Sequence, residues 1–216
     1  MNMKWEQIQE KMANRKPDMA GKREWRAYGI LVPLLERDGE IHLLFEVRSG
    51  KLRTQSGDIC FPGGRMEKGD PDPKRAAVRE ACEELGISET AIGDVYPLDY
   101  IVQPLEGRVI YPFAGNLRGT PAFRPNEEEV EEIFTVPLSC LRKAEPEVHT
   151  VSFRPIPEED FPFDRIPGGK NYPFRERKVK EFFYYYKDYC IWGLTAFILH
   201  QFLQALGEDP EEGTGG

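Results

Sequence analysis

Three glutamates, Glu80, Glu83 and Glu84, fall within five residues of the stretch AVREACEELGI, residues 77–87. On an α-helix, positions three and four apart share a face, so the three carboxylates project together. Like charges at this spacing repel by roughly a few tenths of a kcal/mol per pair. A solvated helix face carries the same pattern, and the triplet alone does not separate that reading from a cation site. Hard cations such as Mg²⁺ take carboxylate oxygens and share their shell with water and phosphate oxygens. Gly63 and Gly64 stand upstream, where bare backbone can approach whatever the carboxylates hold. Arg79, next to Glu80, can orient a carboxylate through a two-pronged hydrogen bond. Arg48, Lys51 and Arg53 place positive charge just before the glycines, in a chain of net charge −8. Arginine forks suit phosphate oxygens, although a solvated strand end looks the same.

These residues need a helix and a loop to position them. Asp72 is a good N-cap, Pro73 suits the first helical position and Gly86 is a natural stop. Ala77, Ala81 and Leu85, joined by Val78 and Cys82, make the core-facing stripe opposite the glutamates. Upstream, 26–37 and 40–49 read as two strands joined by an Arg-Asp-Gly turn. A short strand over 58–64 runs into the Pro-Gly-Gly loop. Further strands are expected at 94–103, 108–117, 147–155 and 179–189, with the acidic run from Glu127 entering another strand and then a short helix. A helix over 4–15 precedes all of these, and a helix over roughly 191–206 closes them. Residues 207–216 read as a disordered tail. The pattern is a mixed sheet covered by helices, in one domain whose core runs from about 25 to 206.

The chain of 216 residues is 40 % hydrophobic and 31 % charged, enough to bury a real core. Its acidity argues against nucleic-acid binding, which draws on basic patches. Cys60, Cys82, Cys140 and Cys190 lie far apart and read as buried free thiols of a reducing compartment. His42, His149 and His200 are equally scattered, so no zinc-binding spacing exists. The N-terminus lacks an apolar leader core, CIWGLTAFILHQFLQAL is too short and polar to span a bilayer, and the C-terminus is Gly-Thr-Gly-Gly rather than Ser-Lys-Leu. A cytoplasmic protein is expected, with no membrane partner.

The longer stretch GGRMEKGDPDPKRAAVREACEELGI resembles the Nudix box, G-x5-E-x7-R-E-U-x-E-E-x-G-U, where U is bulky and apolar. Gly64 matches the opening glycine, and Arg79, Glu80, Glu83, Glu84, Gly86 and Ile87 match the second half, with the small Ala81 at the first U. Asp70 stands where the box has its first glutamate, and the gap from Gly64 to Arg79 is one residue longer than the general pattern. Upstream, LLFEVRSGKLRTQSGDICFPGG resembles the element that precedes the box in the coenzyme A diphosphatases of this superfamily. Leu43, Leu44, Arg48, Ser49, Leu52, Arg53, Gly57, Phe61, Pro62, Gly63 and Gly64 all fit it. The close resemblance covers about 41–87.

The resemblance implies an α/β fold, a Nudix α/β/α sandwich with a mixed β-sheet. It also implies Mg²⁺- or Mn²⁺-dependent hydrolysis of coenzyme A to 3′-phosphoadenosine 5′-phosphate and 4′-phosphopantetheine. Glu80, Glu83 and Glu84 would hold metal, with the Gly63 carbonyl as a further ligand. Glu80, Glu84 and Arg79 would carry catalysis, and Arg48, Lys51, Arg53 and Gly64 would bind substrate. Glu80, or a carboxylate of the run Glu127, Glu128 and Glu129, would serve as general base, although that run is also an ordinary solvated loop. Two other readings stay open: hydrolysis of another nucleoside diphosphate derivative such as NADH or ADP-ribose, and a non-catalytic nucleotide-binding regulator. The Pro- and aromatic-rich insertion 156–177 offers Phe161, Phe163, Tyr172 and Phe174, either as a lid over the substrate or as packing on the sheet or against a second subunit of a homodimer.

Overall fold

The computed structural model describes residues 3–16, 19, 25–119 and 121–207. The expected tail therefore falls, Gly207 excepted, outside the described residues. Helix α1 spans Trp5–Ala13 and buries none of its residues.

Strand β1, Arg26–Arg37, is the spine of the sheet. It runs parallel to β7, Arg108–Leu117, from Arg26 opposite Arg108 to Leu35 opposite Leu117. Its other edge is shared. Residues 28–30 pair antiparallel with β4, Gly63–Arg65, and Leu34–Arg37 with β2, Glu40–Arg48. The short β3, Ile59–Cys60, and β8, Val130–Pro137, extend the sheet from β2, while β5, Ile92–Pro97, and β6, Ile101–Gln103, extend it from β7. Among the described residues this sheet has eight strands with one parallel pair, a mixed sheet as expected. The single strand expected over 94–103 is two. Pro97 lies opposite Phe113 and Ile101 opposite Ile110, so one extra residue is accommodated between them and the register moves.

Alternate side chains of the central strands feed two apolar layers. Leu31, Leu35 and Leu44 join Ala77, Ala81 and Leu85 of helix α2, Pro73–Leu85, on one face. Val32, Leu43 and Phe45 join Ile198, Leu199 and Phe202 of the last helix, Gly193–Leu206, on the other. Gly29 marks the tightest point of the first layer, where a side chain would strike the backbone of Pro73 and Ala77. The short helix α3, Leu138–Lys143, adds Leu141 to the second layer, and the closing helix is α4.

A separate three-stranded antiparallel sheet contains β9, Glu147–Phe153, β10, Arg177–Tyr186, and β11, Tyr189–Ile191. Every residue of β9 is exposed. The insertion between β9 and β10 forms two 3-10 turns, Phe163–Arg165 and Gly169–Asn171. All four cysteines are free, as expected, but none is buried: Cys140 is exposed and the others are half-covered.

Candidate functional site

Helix α2 starts where the sequence places it. The Asp72 carboxylate accepts from the Arg75 N–H at 2.8 Å, Pro73 opens the first turn, and Gly86 closes the helix with a left-handed φ of 62°. A Cβ at Gly86 would also strike the Arg124 carbonyl, because the 124–130 loop docks there. Arg124 N–H donates to the Leu85 carbonyl at 3.0 Å and Asn126 N–H to the Glu84 carbonyl at 2.9 Å. The end of the helix thus fixes the acidic loop beside the glutamates.

The three glutamates are not equivalent. Glu84 is buried, at 7 % exposure, and its carboxylate accepts the Gly63 N–H at 2.8 Å. Burial pushes its carboxyl up to about 8, helped by the charges of Glu80 and Glu129 and opposed by the Gly63 hydrogen bond. Glu80 is half-buried and also raised, first by desolvation. Gly64 makes room for it, since a side chain there would occupy the Glu80 carboxylate. Glu83 is the exposed member and pairs with Arg79 at 3.0 Å.

Arg79 gathers the outer part of the site. Its Nε and Nη2 grip Asp70 at 3.3 and 3.1 Å, Nη2 also reaches Glu80 at 2.9 Å, and Nη1 holds Glu83. These anions drive the guanidinium further toward its charged form, the Asp70 hydrogen bond most. Asp70 is itself buried and accepts the Glu67 N–H at 2.9 Å, and the Arg79 hydrogen bond holds its carboxyl low. The carboxylate at the departing box position therefore anchors Arg79.

A residue absent from the sequence-derived set completes the cluster. Glu46, on β2, is 1 % exposed, and its Oε1 has no hydrogen-bond partner. Its carboxyl is held far above the usual range by burial and by Glu84, with Arg48 opposing and Glu129 adding to the rise. The signal was a lone glutamate at a strand position that alternates with Leu44, which faces α2.

Of the acidic run, Glu129 acts electrostatically on Glu46, Glu80 and Glu84. Glu128 instead holds Lys51 in an exposed pair at 2.7 Å, with the charge of Glu127 also acting on that lysine, and the Glu127 carbonyl accepts the Ser49 hydroxyl at 3.2 Å. Among the described residues, no three His, Cys, Asp or Glu side chains are already arranged to hold a metal ion. The donor chemistry fits one nonetheless. Buried carboxylates with an orphaned oxygen and few cations against them match a hard divalent ion.

On the other side of the glycines lies a cleft of about 730 Å³, lined by Tyr28, Arg48, Gly63, Gly64, Arg108 and Trp192 among others. The Arg48 Nε is buried there without a partner. Arg108, also absent from the sequence-derived set, bonds Gln103 and lies 5.9 Å over the Tyr28 ring. Arg53 is exposed, and neither it nor Lys51 lines this cleft. Nor do the aromatics expected as a lid. Phe161 meets Phe163 at 4.9 Å and Phe174 at 5.9 Å, and Tyr172 meets Phe174 at 5.0 Å, a cluster of their own.

A helix that ends in paired glutamates, backed by a glycine strand of a mixed sheet, is the arrangement of a Nudix domain. The chain belongs to that family: the NUDIX domain model matches residues 25–157. The mouse protein named peroxisomal coenzyme A diphosphatase NUDT7 is 39 % identical over 112 residues, covering 51 % of this chain and 47 % of its own. Nudix hydrolase 15, mitochondrial, of Arabidopsis thaliana is 33 % identical over 84 % of this chain and 59 % of its own. The chain thus spans about half to three-fifths of the length of these two relatives. A MutT/nudix family protein from Enterococcus faecalis shares the fold, with a TM-score of 0.50 and 15 % identity over 93 % of this chain and 68 % of that one. No helix among the described residues is long and apolar enough to cross a membrane.

Proposed function

We propose that this chain hydrolyses the diphosphate bond of coenzyme A or its derivatives, releasing 3′-phosphoadenosine 5′-phosphate and 4′-phosphopantetheine. One observation carries the reading: Gly63 and Gly64 line the arginine-bearing cleft and also meet Glu84 and Glu80. A diphosphate against those glycines lies within reach of both sets of groups. The Arg48 element over 43–64 and the mouse relative's name support coenzyme A over other diphosphates.

Glu80, Glu83 and Glu84, with the Gly63 carbonyl, are the proposed holders of Mg²⁺ or Mn²⁺. When bound, such an ion would offset diphosphate charge and acidify a coordinated water. Arg48 offers its unpartnered Nε to a phosphate oxygen, and Arg108 offers a second cation in the same cleft. Arg79 steers Glu80 rather than touching substrate. The Glu80 oxygen that Arg79 does not hold, or Glu129 from the docked loop, accepts the proton of the attacking water. The location we infer is the cytoplasm, which the free thiols support. Residues 25–206 are taken as one working unit, able to pair as a homodimer.

Product analysis tests this. Incubation with coenzyme A and Mn²⁺ should give both named products and none with EDTA. Faster cleavage of NADH or ADP-ribose than of coenzyme A would overturn the substrate, and no metal-dependent turnover on any diphosphate would leave a binding regulator.

A further inference from the structure

Glu46 is neither a proposed ligand nor a proposed substrate contact, yet its burial is hard to explain as packing. It occupies a position alternating with Leu44, in the layer under α2, where an apolar side chain would pack at no electrostatic cost. Its Oε2 takes a weak contact from the Cys60 thiol at 3.9 Å, and its Oε1 is buried with nothing to bond. An unsatisfied buried carboxylate oxygen costs free energy unless something fills its place. The neighbours deepen the problem. Glu84 and Glu129 repel it, and Arg48 is the cation that opposes them. Arg79 does not help, because its donors are taken by Asp70, Glu80, Glu83 and the Arg65 carbonyl.

We propose that Glu46 is a further residue of the divalent-cation site, a strand carboxylate that reaches the same ion as the helix glutamates. This rests on the cation site assigned above. The donors are all oxygen, which selects hard ions such as Mg²⁺ and Mn²⁺ over softer ones. The Cys60 contact falls on Oε2, so Oε1 is the oxygen left free. The carboxylates approach the ion from two elements, α2 and β2, which hold it more rigidly than one helix face can.

The test needs no substrate. Mn²⁺ is titrated into the full chain, and binding is followed by calorimetry and by the electron-spin resonance of free Mn²⁺. Glu46→Gln, similar in size and uncharged, should weaken Mn²⁺ about tenfold or more, the range seen when a group supporting a metal site is removed. Glu46→Asp, which keeps charge but withdraws it by one methylene, should fall between. Unchanged or tighter Mn²⁺ binding by folded Glu46→Gln overturns the proposal. If that variant does not fold, Glu46→Asp at the parental affinity overturns it. A parental chain that binds no Mn²⁺ removes the whole cation site, whereas parental binding unaffected at Glu46 removes this residue alone.

Discussion

Replacing Glu84 by Gln removes a buried charge, keeps the shape, and should separate stability from activity. In the metal-free protein the folded carboxyl titrates at about 8, against an ordinary value of 4.5. The folded state therefore holds a proton that the unfolded chain releases. Such a group favours folding least at high pH: stability is full below about 4.5 and is lost progressively as pH rises toward 8. At pH 7 the loss is about 3 kcal/mol, at roughly 1.4 kcal/mol per pH step, and relaxation of Glu46 and Glu80 lowers it to about 2. The glutamine carbonyl still accepts the Gly63 N–H, while its unpartnered amide hydrogens take back about 1 kcal/mol. Glu84→Gln in EDTA should therefore melt about 2–4 °C higher than the parent at pH 7, since each kcal/mol moves a domain of this size by about 2–4 °C. Near pH 4.5 the gain should vanish. With coenzyme A and Mn²⁺, turnover should fall roughly a hundredfold or more. A melting difference that is the same at pH 4.5 and pH 8 would refute the buried-charge reasoning, and near-normal turnover would refute the ligand assignment.

Gly64→Ala should cost most of the activity while leaving a folded protein, because the new methyl displaces the flexible Glu80 side chain rather than backbone; circular dichroism and steady-state rates check both halves. Arg108→Ala should raise KM for coenzyme A several-fold with kcat nearly kept, the pattern of binding shared by ground and transition states, and Arg53→Ala should change neither. Shortening 161–174 to a tight turn should leave the preference for coenzyme A over ADP-ribose unchanged, measured as the ratio of kcat/KM values, since its aromatics stack on one another rather than on the cleft.

The parts legible in the sequence were those written in local chemistry. The Asp72-Pro73 start, the Gly86 stop and the alanine stripe describe α2 because capping and helix period act within a few residues. The Arg-Asp-Gly turn describes the β1–β2 hairpin for the same reason. What stayed hidden depends on partners distant in the chain. The break between β5 and β6 is a register shift against β7. The three acidic residues 127–129 look alike in the sequence, and only the docking of Asn126 on the Glu84 carbonyl brings Glu129 within electrostatic reach of the cluster. Asp70 gave no hint that it would grip Arg79. Glu46 was readable in principle, as a charge at an inward strand position, but which face of β2 is inward depends on the distant helices that cover it.

The parallel seam between β1 and β7 has a consequence for how the chain is made. Strand β1 leaves a ribosome before its partners, and β2 and β4 can cover one edge of it soon after. Its opposite edge waits for residues 108–117, and the apolar face that holds Val32 and Phe45 waits longer still, for the final helix. Until then the nascent chain displays an unpaired hydrogen-bonding edge beside an uncovered greasy surface, the features that invite wrong association. Pairings this distant in sequence also close slowly. Completion of α4, rather than of the glutamate helix, is the event that covers this surface.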